Sequence, residues 1–486
     1  MTPELTLDPE DWENLKTLGH EMLDDMLEHL RDIKKQPVWQ QIPDEVKLRF
    51  NKPVPIEIQD RKSIYKEFKE NILPYPLGNI HPRFWGWVVG SGTPFGILAE
   101  MLTATMNTNV AGGEQIANYV ETQVIEWTKE ILGYNLSASG LLVSGASIAN
   151  LIGLTVARNT KANYDIINQG VQANKKKLIF YGSTEMHGSI DKTLQLLGLG
   201  LNSLQKIDVN NKFEIQVDVL RKAIEADIKT GHQPICIIGN AGTVNTGAVD
   251  DLKALAEIAK EFNMWFHVDG AFGVWCKLSP QSKSLVDGIE QADSIAFDFH
   301  KWMYINYDVG CVLIKNRKDH FKAFNFKGDY TTHLKRGTGS GEIWFSDYGP
   351  QLSRGFRALK IWMTIKENGT KKLGDVIEQN IQQARYLTEL IENEKNLEIL
   401  APTRMNIVNF RYSDKVSDED TLNKLNEEIL YQLQEDGIAV PSNTMIKGNF
   451  VIRVAIVNHR SVKDDFEVLI KSFLDIAEKI SSKYIF

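Results

Sequence analysis

The stretch at residues 293–302 places a candidate nucleophile directly after an apolar run. It reads Asp-Ser-Ile-Ala-Phe-Asp-Phe-His-Lys-Trp and ends in a polar group that contains Asp298, His300 and Lys301. A lysine at the end of a buried strand has two interpretations. Its ammonium can reach solvent along the aliphatic stem, or its amine can be held in a cleft and form a Schiff base with an aldehyde cofactor.

Other apolar runs also end in residues that could bind a ligand. Residues 143–147, Val-Ser-Gly-Ala-Ser, precede a predicted helix, so free backbone N–H groups and the helix dipole could hold a phosphate. A Ser-Gly turn before a helix is also common without a ligand. His187 and Thr243 follow two later runs, and Asp269 follows the run that begins at Met264. A lone histidine there is often structural, whereas a buried aspartate needs a cation or a hydrogen-bond donor.

These parts together describe a site for pyridoxal phosphate. Lys301 would form the imine, and Asp269 would keep the pyridine nitrogen protonated so that the ring can accept electrons. His187 could stack on the ring, and residues 143–147 would anchor the phosphate. His267 and Asp269 also suit a metal, but no third ligand follows at a metal-like spacing. We therefore expect no metal.

The apolar runs alternate with helical patterns, which indicates a mostly parallel seven-stranded sheet with helices on both faces. In such sheets ligands bind beyond the carboxyl ends of the strands, where the polar residues above fall. The predicted strands span residues 141–144, 177–181, 204–209, 235–240, 264–269, 293–297 and 310–315. The helices predicted between or around them include 97–107, 117–133, 148–158, 217–226 and 252–262.

The remaining segments predict a helical arm and a smaller C-terminal domain. Residues 8–34 have apolar residues at helical spacing, with Asp8 as the cap and Pro9 in the first turn, and residues 37–55 read as an extended strap. This arm cannot form its own core, so it packs on a second subunit or folds back on its own chain. Later helices are predicted at 352–367, 371–393 and 463–482, with a strand at 450–457. We expect an arm at 1–78, a large cofactor domain at 79–370 and a small α+β domain at 371–486.

Composition narrows the class of protein. The 486 residues carry a net charge of -8, which argues against a nucleic-acid groove because phosphate binding needs a basic face. No apolar run is long enough to span a membrane, and the first residues do not read as a secretory signal. The three cysteines are scattered among apolar residues, as expected for reduced thiols in a cytoplasmic protein.

Several segments resemble motifs of the group II pyridoxal-phosphate-dependent decarboxylases, which act on aromatic amino acids, glutamate, histidine or diaminobutyrate. Residues 267–272 resemble the family's His-Val-Asp-Ala-Ala motif, residues 293–302 its Ala-Asp-Ser…His-Lys-Trp motif, and residues 143–151 its Ser-Gly-Gly-Ser-Glu-Ala-Asn phosphate loop. Residues 352–362 and 453–460 also match. Order and spacing agree over about residues 75–470.

The resemblance implies the type I fold of aspartate aminotransferase and an obligate homodimer with active sites at the subunit interface. Lys301 would carry the internal aldimine, Asp269 would pair with the pyridine nitrogen, and His187 would stack on the ring and assist proton transfer. The resemblance places further residues around the cofactor: Gly145, Ala146, Ser147, Asp298 and His300 at the phosphate, and Thr243 and Ala271 at the ring. It places Trp87 and Val88 on the substrate side.

Three positions depart from the family pattern. Ile148 stands where the phosphate loop often has glutamate. Asp298 stands where many members have asparagine, and an anion beside a phosphate repels it unless His300 or another cation compensates. In the family's mobile loop a tyrosine separates simple decarboxylation from oxidative deamination to an aldehyde; Tyr348 and Tyr330 are the candidates here.

The sequence thus predicts an amino-acid decarboxylase that releases an amine and carbon dioxide. Trp85 and Trp87 favour an aromatic substrate, and acidic or diamino substrates stay open. One alternative is another pyridoxal-phosphate reaction, namely oxidative deamination to an aldehyde, carbon–carbon lysis or transamination. An alternative of another class is an inactive scaffold homologue, against which the presence of Lys301, Asp269 and His187 argues.

Overall fold

The computed structural model describes residues 4–173, 176–325, 334–413 and 418–484. In these ranges the α-helices are α1 (Trp12–Arg31), α2 (Asp44–Arg49), α3 (Arg61–Asn71), α4 (Pro94–Met106), α5 (Ile116–Leu132), α6 (Ala146–Lys161), α7 (Ile166–Gln169), α8 (Ser189–Leu196), α9 (Val217–Lys229), α10 (Leu252–Glu261), α11 (Arg317–Phe324), α12 (Ala358–Glu392), α13 (Glu419–Glu435) and α14 (Lys463–Tyr484). None of them is both long and apolar enough to cross a membrane.

The strands of the same ranges belong to two sheets. They are β1 (Phe84–Trp85), β2 (Ser139–Val143), β3 (Leu178–Ser183), β4 (Leu204–Ile207), β5 (Gln233–Asn240), β6 (Trp265–Asp269), β7 (Ser294–Asp298), β8 (Gly310–Ile314), β9 (Leu397–Ile399), β10 (Ile407–Tyr412), β11 (Val440–Ile446) and β12 (Asn449–Ala455).

The large sheet has seven strands in the order β2-β8-β7-β6-β5-β3-β4. Its strands are parallel except β8, which is antiparallel to both of its neighbours. The reversal follows from the connection after β7, which returns to the sheet without a crossover helix. The predicted α/β fold with a mostly parallel seven-stranded sheet is therefore confirmed.

The large sheet is covered by helices because its strands are apolar on both faces. Helix α6 starts three residues after β2 and crosses β6, β7 and β8. Its approach to β6 is close, since a Cβ on Gly153 would lie 2.8 Å from Cε1 of His267. This packing brings the first turns of α6 next to the carboxyl ends of β6 and β7.

The smaller sheet has the order β1-β11-β12-β10-β9 and packs against α13 and α14 around its own apolar core. Helix α12 leads to it and is interrupted at Gly369, where φ is 67°. The predicted helix start at 352 is wrong, because α12 begins at Ala358 and Arg354 before it is buried against Glu121. The three domain limits stay a prediction.

The N-terminal arm differs from its prediction in two ways. Helix α1 begins at Trp12 and is capped by Asp11, which accepts a hydrogen bond from the N–H of Asn14, so Asp8 is not the cap. The predicted strap at 37–55 contains α2, and α3 follows it. Asp25 accepts a hydrogen bond of 2.7 Å from Tyr65, which ties α3 back to α1. Part of the arm therefore packs on its own chain.

Candidate active site

Two adjoining cavities lie at the edge of the large sheet where β2, β6 and β7 end. The larger has a volume of about 310 Å³ and is lined by predicted site residues from four segments: Gly145, Ala146, Ser147, His187, Asp269, Ala271, Asp298, His300 and Lys301. The smaller has a volume of about 190 Å³, and its walls include Trp87, Val88 and Thr243. Both cavities are lined by His187, Asp269, Ala271 and Lys301. The two volumes therefore meet at the residues expected to do chemistry.

Asp298 lies between the start of α6 and the amine of Lys301. Its Oδ1 accepts a hydrogen bond of 2.6 Å from the N–H of Ala146, and its Oδ2 is 2.8 Å from Lys301 Nζ. The residue is only 2% exposed. The helix N-terminus and the ammonium supply the two positive partners that a buried carboxylate needs.

His300 is the third group that lies close to Asp298 at this end of the cavity. Its Nδ1 accepts a hydrogen bond from the N–H of Val309, and its Nε2 lies 3.7 Å from Asp298 Oδ2. Burial lowers the pKa of His300, an effect that the charge of Asp298 partly opposes. The glycine-rich loop before α4 closes over this segment, since a Cβ on Gly90 would lie 2.1 Å from the carbonyl oxygen of His300.

Asp269 has a different environment from Asp298. Its Oδ2 accepts a hydrogen bond of 3.0 Å from Asn150 Nδ2, and its Oδ1 accepts one of 3.1 Å from the N–H of Ala271. Both donors are neutral, and among the described residues no cation forms an ion pair with this carboxylate. A buried anion with neutral donors and an open cavity beside it fits a protonated ring nitrogen.

The donor set as a whole fits pyridoxal phosphate. The start of α6 presents backbone N–H groups, Asp269 presents an unpaired negative charge, and Lys301 lines the same cavity. His187 lines both cavities, with Nδ1 2.9 Å from Ser189 Oγ. A metal is a poorer fit, because both ring nitrogens of His267 are occupied by Ser294 and Asn150.

Tyr348 is not brought to the site. It lines neither cavity, and its hydroxyl accepts a hydrogen bond of 3.0 Å from Arg317 Nε, while its carbonyl oxygen contacts His320. The short helical turn at Phe345–Tyr348 directs the ring against α11 instead. The catalytic role of Tyr348 stays a prediction. The other candidate, Tyr330, lies outside the described residues.

Arg453 and Asn150 support the site and were not predicted as site residues. Arg453 on β12 donates a hydrogen bond of 2.8 Å to the carbonyl oxygen of Trp87 and thus supports the wall of the smaller cavity; burial lowers the pKa of Arg453 to about 9. Asn150 lies within the phosphate-loop motif, but only the packing of α6 on β6 directs its amide to Asp269. The position of Asn150 in that motif was the signal available from the sequence.

The whole chain resembles known proteins. Residues 43–413 match the model of the pyridoxal-dependent decarboxylase conserved domain. The chain is 33% identical over 480 residues to an aromatic-L-amino-acid decarboxylase of Bacillus atrophaeus, covering 97% of each. It is 29% identical over 471 residues to a phenylacetaldehyde synthase of Petunia hybrida, covering 93% of this chain and 91% of that one.

The fold is also that of solved structures. A structure of Oryza sativa TDC with PLP and tryptamine superposes with a TM-score of 0.90 at 20% identity, covering 98% of this chain and 100% of that one. The glutamate decarboxylase domain of a diaminobutyrate-pyruvate transaminase and L-2,4-diaminobutyrate decarboxylase from Vibrio parahaemolyticus has a TM-score of 0.85 at 25% identity, covering 98% and 97%.

Proposed function

The chain belongs to the pyridoxal-dependent decarboxylase family and is a carboxy-lyase that uses pyridoxal phosphate; from this premise we propose that it converts an aromatic L-amino acid to its amine and carbon dioxide. The observation that carries the proposal is the meeting of the two cavities at Lys301, His187 and Asp269. The larger cavity suits the cofactor, and the smaller suits the substrate side chain.

Pyridoxal phosphate, when bound, supplies an aldehyde that reacts with amines and a ring that accepts the electron pair released at the substrate α-carbon. We assign Lys301 to hold it through its amine, Asp269 to hold the protonated ring nitrogen, and the start of α6 with Ser147 to hold its phosphate. Thr243 and Ala271 would line the ring. His187, which borders both cavities, would hold the ring face and a proton for the α-carbon.

The walls of the smaller cavity support an aromatic substrate. Besides the residues shared with the larger cavity, its described lining is Trp87, Val88, Asn240, Gly242, Thr243, Val244 and Phe272. None of these carries a charge that would pair with the carboxylate of an acidic side chain or the ammonium of a diamino substrate. Apolar and aromatic walls with a few polar groups are typical of a site for an aromatic ring.

A substrate panel tests the proposal. The holoenzyme would receive phenylalanine, tyrosine, tryptophan, glutamate and 2,4-diaminobutyrate separately, with carbon dioxide, amine, aldehyde and hydrogen peroxide measured in each reaction. We expect carbon dioxide and amine in equal amounts from an aromatic substrate, without peroxide. Activity on glutamate or 2,4-diaminobutyrate alone would refute the aromatic assignment, and Lys301→Ala serves as the inactive control.

The same panel tests a second candidate, the formation of an aldehyde by oxidative deamination. It is favoured by the 29% identity of the chain, over 471 residues, to the phenylacetaldehyde synthase of Petunia hybrida. The Petunia relative is named for an aldehyde product. Peroxide and aldehyde without amine would establish this outcome, whereas no product from any substrate would support an inactive scaffold.

We further propose a cytoplasmic homodimer with active sites at the subunit interface. Apolar side chains on α1 and α4 are exposed in the single chain: Trp12, Met22, Leu27, Met101, Leu102 and Met106. Their burial between two copies would remove them from water. Light scattering should give about twice the chain mass of 55.1 kDa, and a monomer would contradict the dimer. The three buried free cysteines support a reducing compartment.

A further inference from the structure

Asn150 connects the two sides of the active site through one amide. Its Nδ2 donates to Asp269 Oδ2 at 3.0 Å and to Ser189 Oγ at 3.2 Å. Its Oδ1 lies 2.8 Å from His267 Nε2. Ser189 in turn contacts His187, with 2.9 Å between Ser189 Oγ and His187 Nδ1. The side chain of Asn150 is fully buried, so these contacts have no competition from solvent.

The direction of each hydrogen bond in this network follows from the groups at its two ends, the Asp269 carboxylate and the Trp265 indole. An ionised Asp269 only accepts, so the atom of Asn150 that faces it must be the NH₂ group. The carbonyl oxygen of Asn150 then faces His267, which must carry its proton on Nε2. His267 Nδ1 is left as an acceptor for the Ser294 hydroxyl at 2.7 Å.

The far end of the network agrees with this assignment. The indole N–H of Trp265 only donates, and it lies 2.7 Å from Ser294 Oγ. The Ser294 hydroxyl is therefore free to donate its hydrogen to His267. His267 is fully buried, and burial lowers its pKa to about 3, so the ring is neutral, as the network requires. An amide is the one side chain that offers an acceptor and two donors in a single plane.

The other branch determines the proton position on His187. Ser189 Oγ accepts from Asn150, which leaves the Ser189 hydroxyl hydrogen free to donate to His187 Nδ1. The backbone N–H of Ser189 also donates to the same Nδ1, at 3.2 Å. Two donors at Nδ1 leave Nε2 as the nitrogen that bears the proton in the neutral ring.

We propose that Asn150 is a positioning residue that orients the Asp269 carboxylate and, through Ser189, keeps Nδ1 of His187 as a hydrogen-bond acceptor, so that Nε2 carries the ring proton. The inference rests on the proposed roles of Asp269 and His187 in the decarboxylase site, but not on the identity of the amino-acid substrate. The effects on Asp269 and on His187 can be tested separately, because of these two residues Ser189 contacts only His187, whereas Asn150 contacts Asp269 directly and His187 through Ser189.

The first test measures the Asp269 branch without substrate. Asn150→Leu should weaken pyridoxal phosphate binding by about tenfold or more and shift the pH midpoint of the bound-cofactor absorbance, because Asp269 loses a buried donor. Ser189→Ala should leave the dissociation constant within about twofold of wild type, since it leaves the Asn150 bond to Asp269 in place. The other titratable residues of the larger cavity are Asp298, His300 and Lys301; they are the same in all variants.

Asn426→Leu is the matched control. Asn426 is equally buried, and its amide also makes three hydrogen bonds, but in the small C-terminal sheet region. This variant should lose stability without a change in the cofactor spectrum. If Asn150→Leu does not fold, Asn150→Ser replaces it. Wild-type affinity and pH midpoint in a folded Asn150 variant would overturn the proposal.

The second test measures the His187 branch directly. Nitrogen-15 NMR of enzyme labelled in its histidine rings, with His187→Asn used to assign the signal, distinguishes protonated from unprotonated ring nitrogens. We expect an unprotonated Nδ1 and a protonated Nε2 for His187 in the wild type. Ser189→Ala and the Asn150 variant should show a smaller fraction of this tautomer, because the backbone N–H of residue 189 is then the one donor that stays fixed at Nδ1. A proton on Nδ1 in the wild type would overturn the assignment. A failed substrate panel would leave both readouts intact, so the two hypotheses fail separately.

Discussion

Replacing Asp298 with asparagine should tighten the binding of pyridoxal phosphate. The Asp298 carboxylate accepts from the N–H of Ala146 at 2.6 Å, at the helix start that we assign to the phosphate. Its other oxygen is 2.8 Å from Lys301 Nζ. The cofactor phosphate must therefore bind beside a buried anion, and Lys301 must give up its proton before its amine can bond the cofactor. Phosphate binding and the deprotonation of Lys301 therefore both make the environment of the Asp298 carboxylate less favourable.

The magnitude follows from the charges involved. Two unit charges about 4 Å apart repel by about 4 kcal/mol at an effective dielectric constant of about 20. The N-terminus of α6 offsets part of this repulsion in the wild type. Asparagine keeps an oxygen for the N–H of Ala146 and removes the charge. A net gain of about 1.4 to 2.8 kcal/mol is expected, which corresponds to about 10- to 100-fold tighter binding.

The assay compares two ligands on cofactor-free enzyme. Pyridoxal phosphate and pyridoxal, which has the same ring and aldehyde but no phosphate, would be titrated into wild type and Asp298→Asn, with binding followed by absorbance. Only the affinity for pyridoxal phosphate should rise by the full factor of about 10 to 100. Asp308→Asn removes the same charge from a half-exposed carboxylate paired with Arg357 and should change neither affinity. Unchanged or weaker phosphate-ligand binding in Asp298→Asn, or an equal gain for pyridoxal, would refute the reasoning.

Three further predictions concern the cofactor bond and the stability of the fold. Lys301→Ala should abolish the absorbance band of covalently held cofactor and leave the circular dichroism unchanged. Burial lowers the pKa of His320 to about 3, so the unfolded chain binds a proton at this histidine at a higher pH than the folded chain does. The free energy of unfolding should therefore fall by up to about 5 kcal/mol as the pH drops from about 6.5 to 3. Urea titrations of His320→Gln should show a smaller loss of this free energy over the same pH range. Arg354→Leu should lower the free energy of unfolding by about 3 to 5 kcal/mol, because it leaves Glu121 buried without its cation, and Glu121→Gln in the same chain should restore part of that loss.

Most strands of the large sheet were predictable because they contain a short apolar run; β4, with the sequence Leu-Gln-Lys-Ile, is the exception. Strand β6, for example, is buried along its whole length and ends at Asp269. What the runs could not show is direction: β8 is as apolar as its neighbours, yet it pairs antiparallel to β2 and β7. Direction depends on the connection before a strand, which here is too short for a crossover helix.

The errors occurred where burial is sparse. Helix α3 buries only Tyr65 and Asn71, so its sequence has almost no apolar period. Asp8 looked like a cap because Pro9 follows it, but the helix starts later, at the first residue after Asp11. Tyr348 is a separate case: its ring is buried against α11, and the sequence does not show this packing.

The two buried aspartates act differently on a ligand that is positive at one end and negative at the other. Asp269 has only neutral donors, so a ligand group with a positive charge completes its environment. Asp298 already has Lys301 and a helix N-terminus, so an anionic group must compete with it for those partners. Asparagine at the second position would remove that competition without changing the orientation that Asp269 imposes. The charge of Asp298 therefore acts on how tightly the cofactor is held, whereas the Asn150–Asp269 pair acts on how its ring is oriented and protonated.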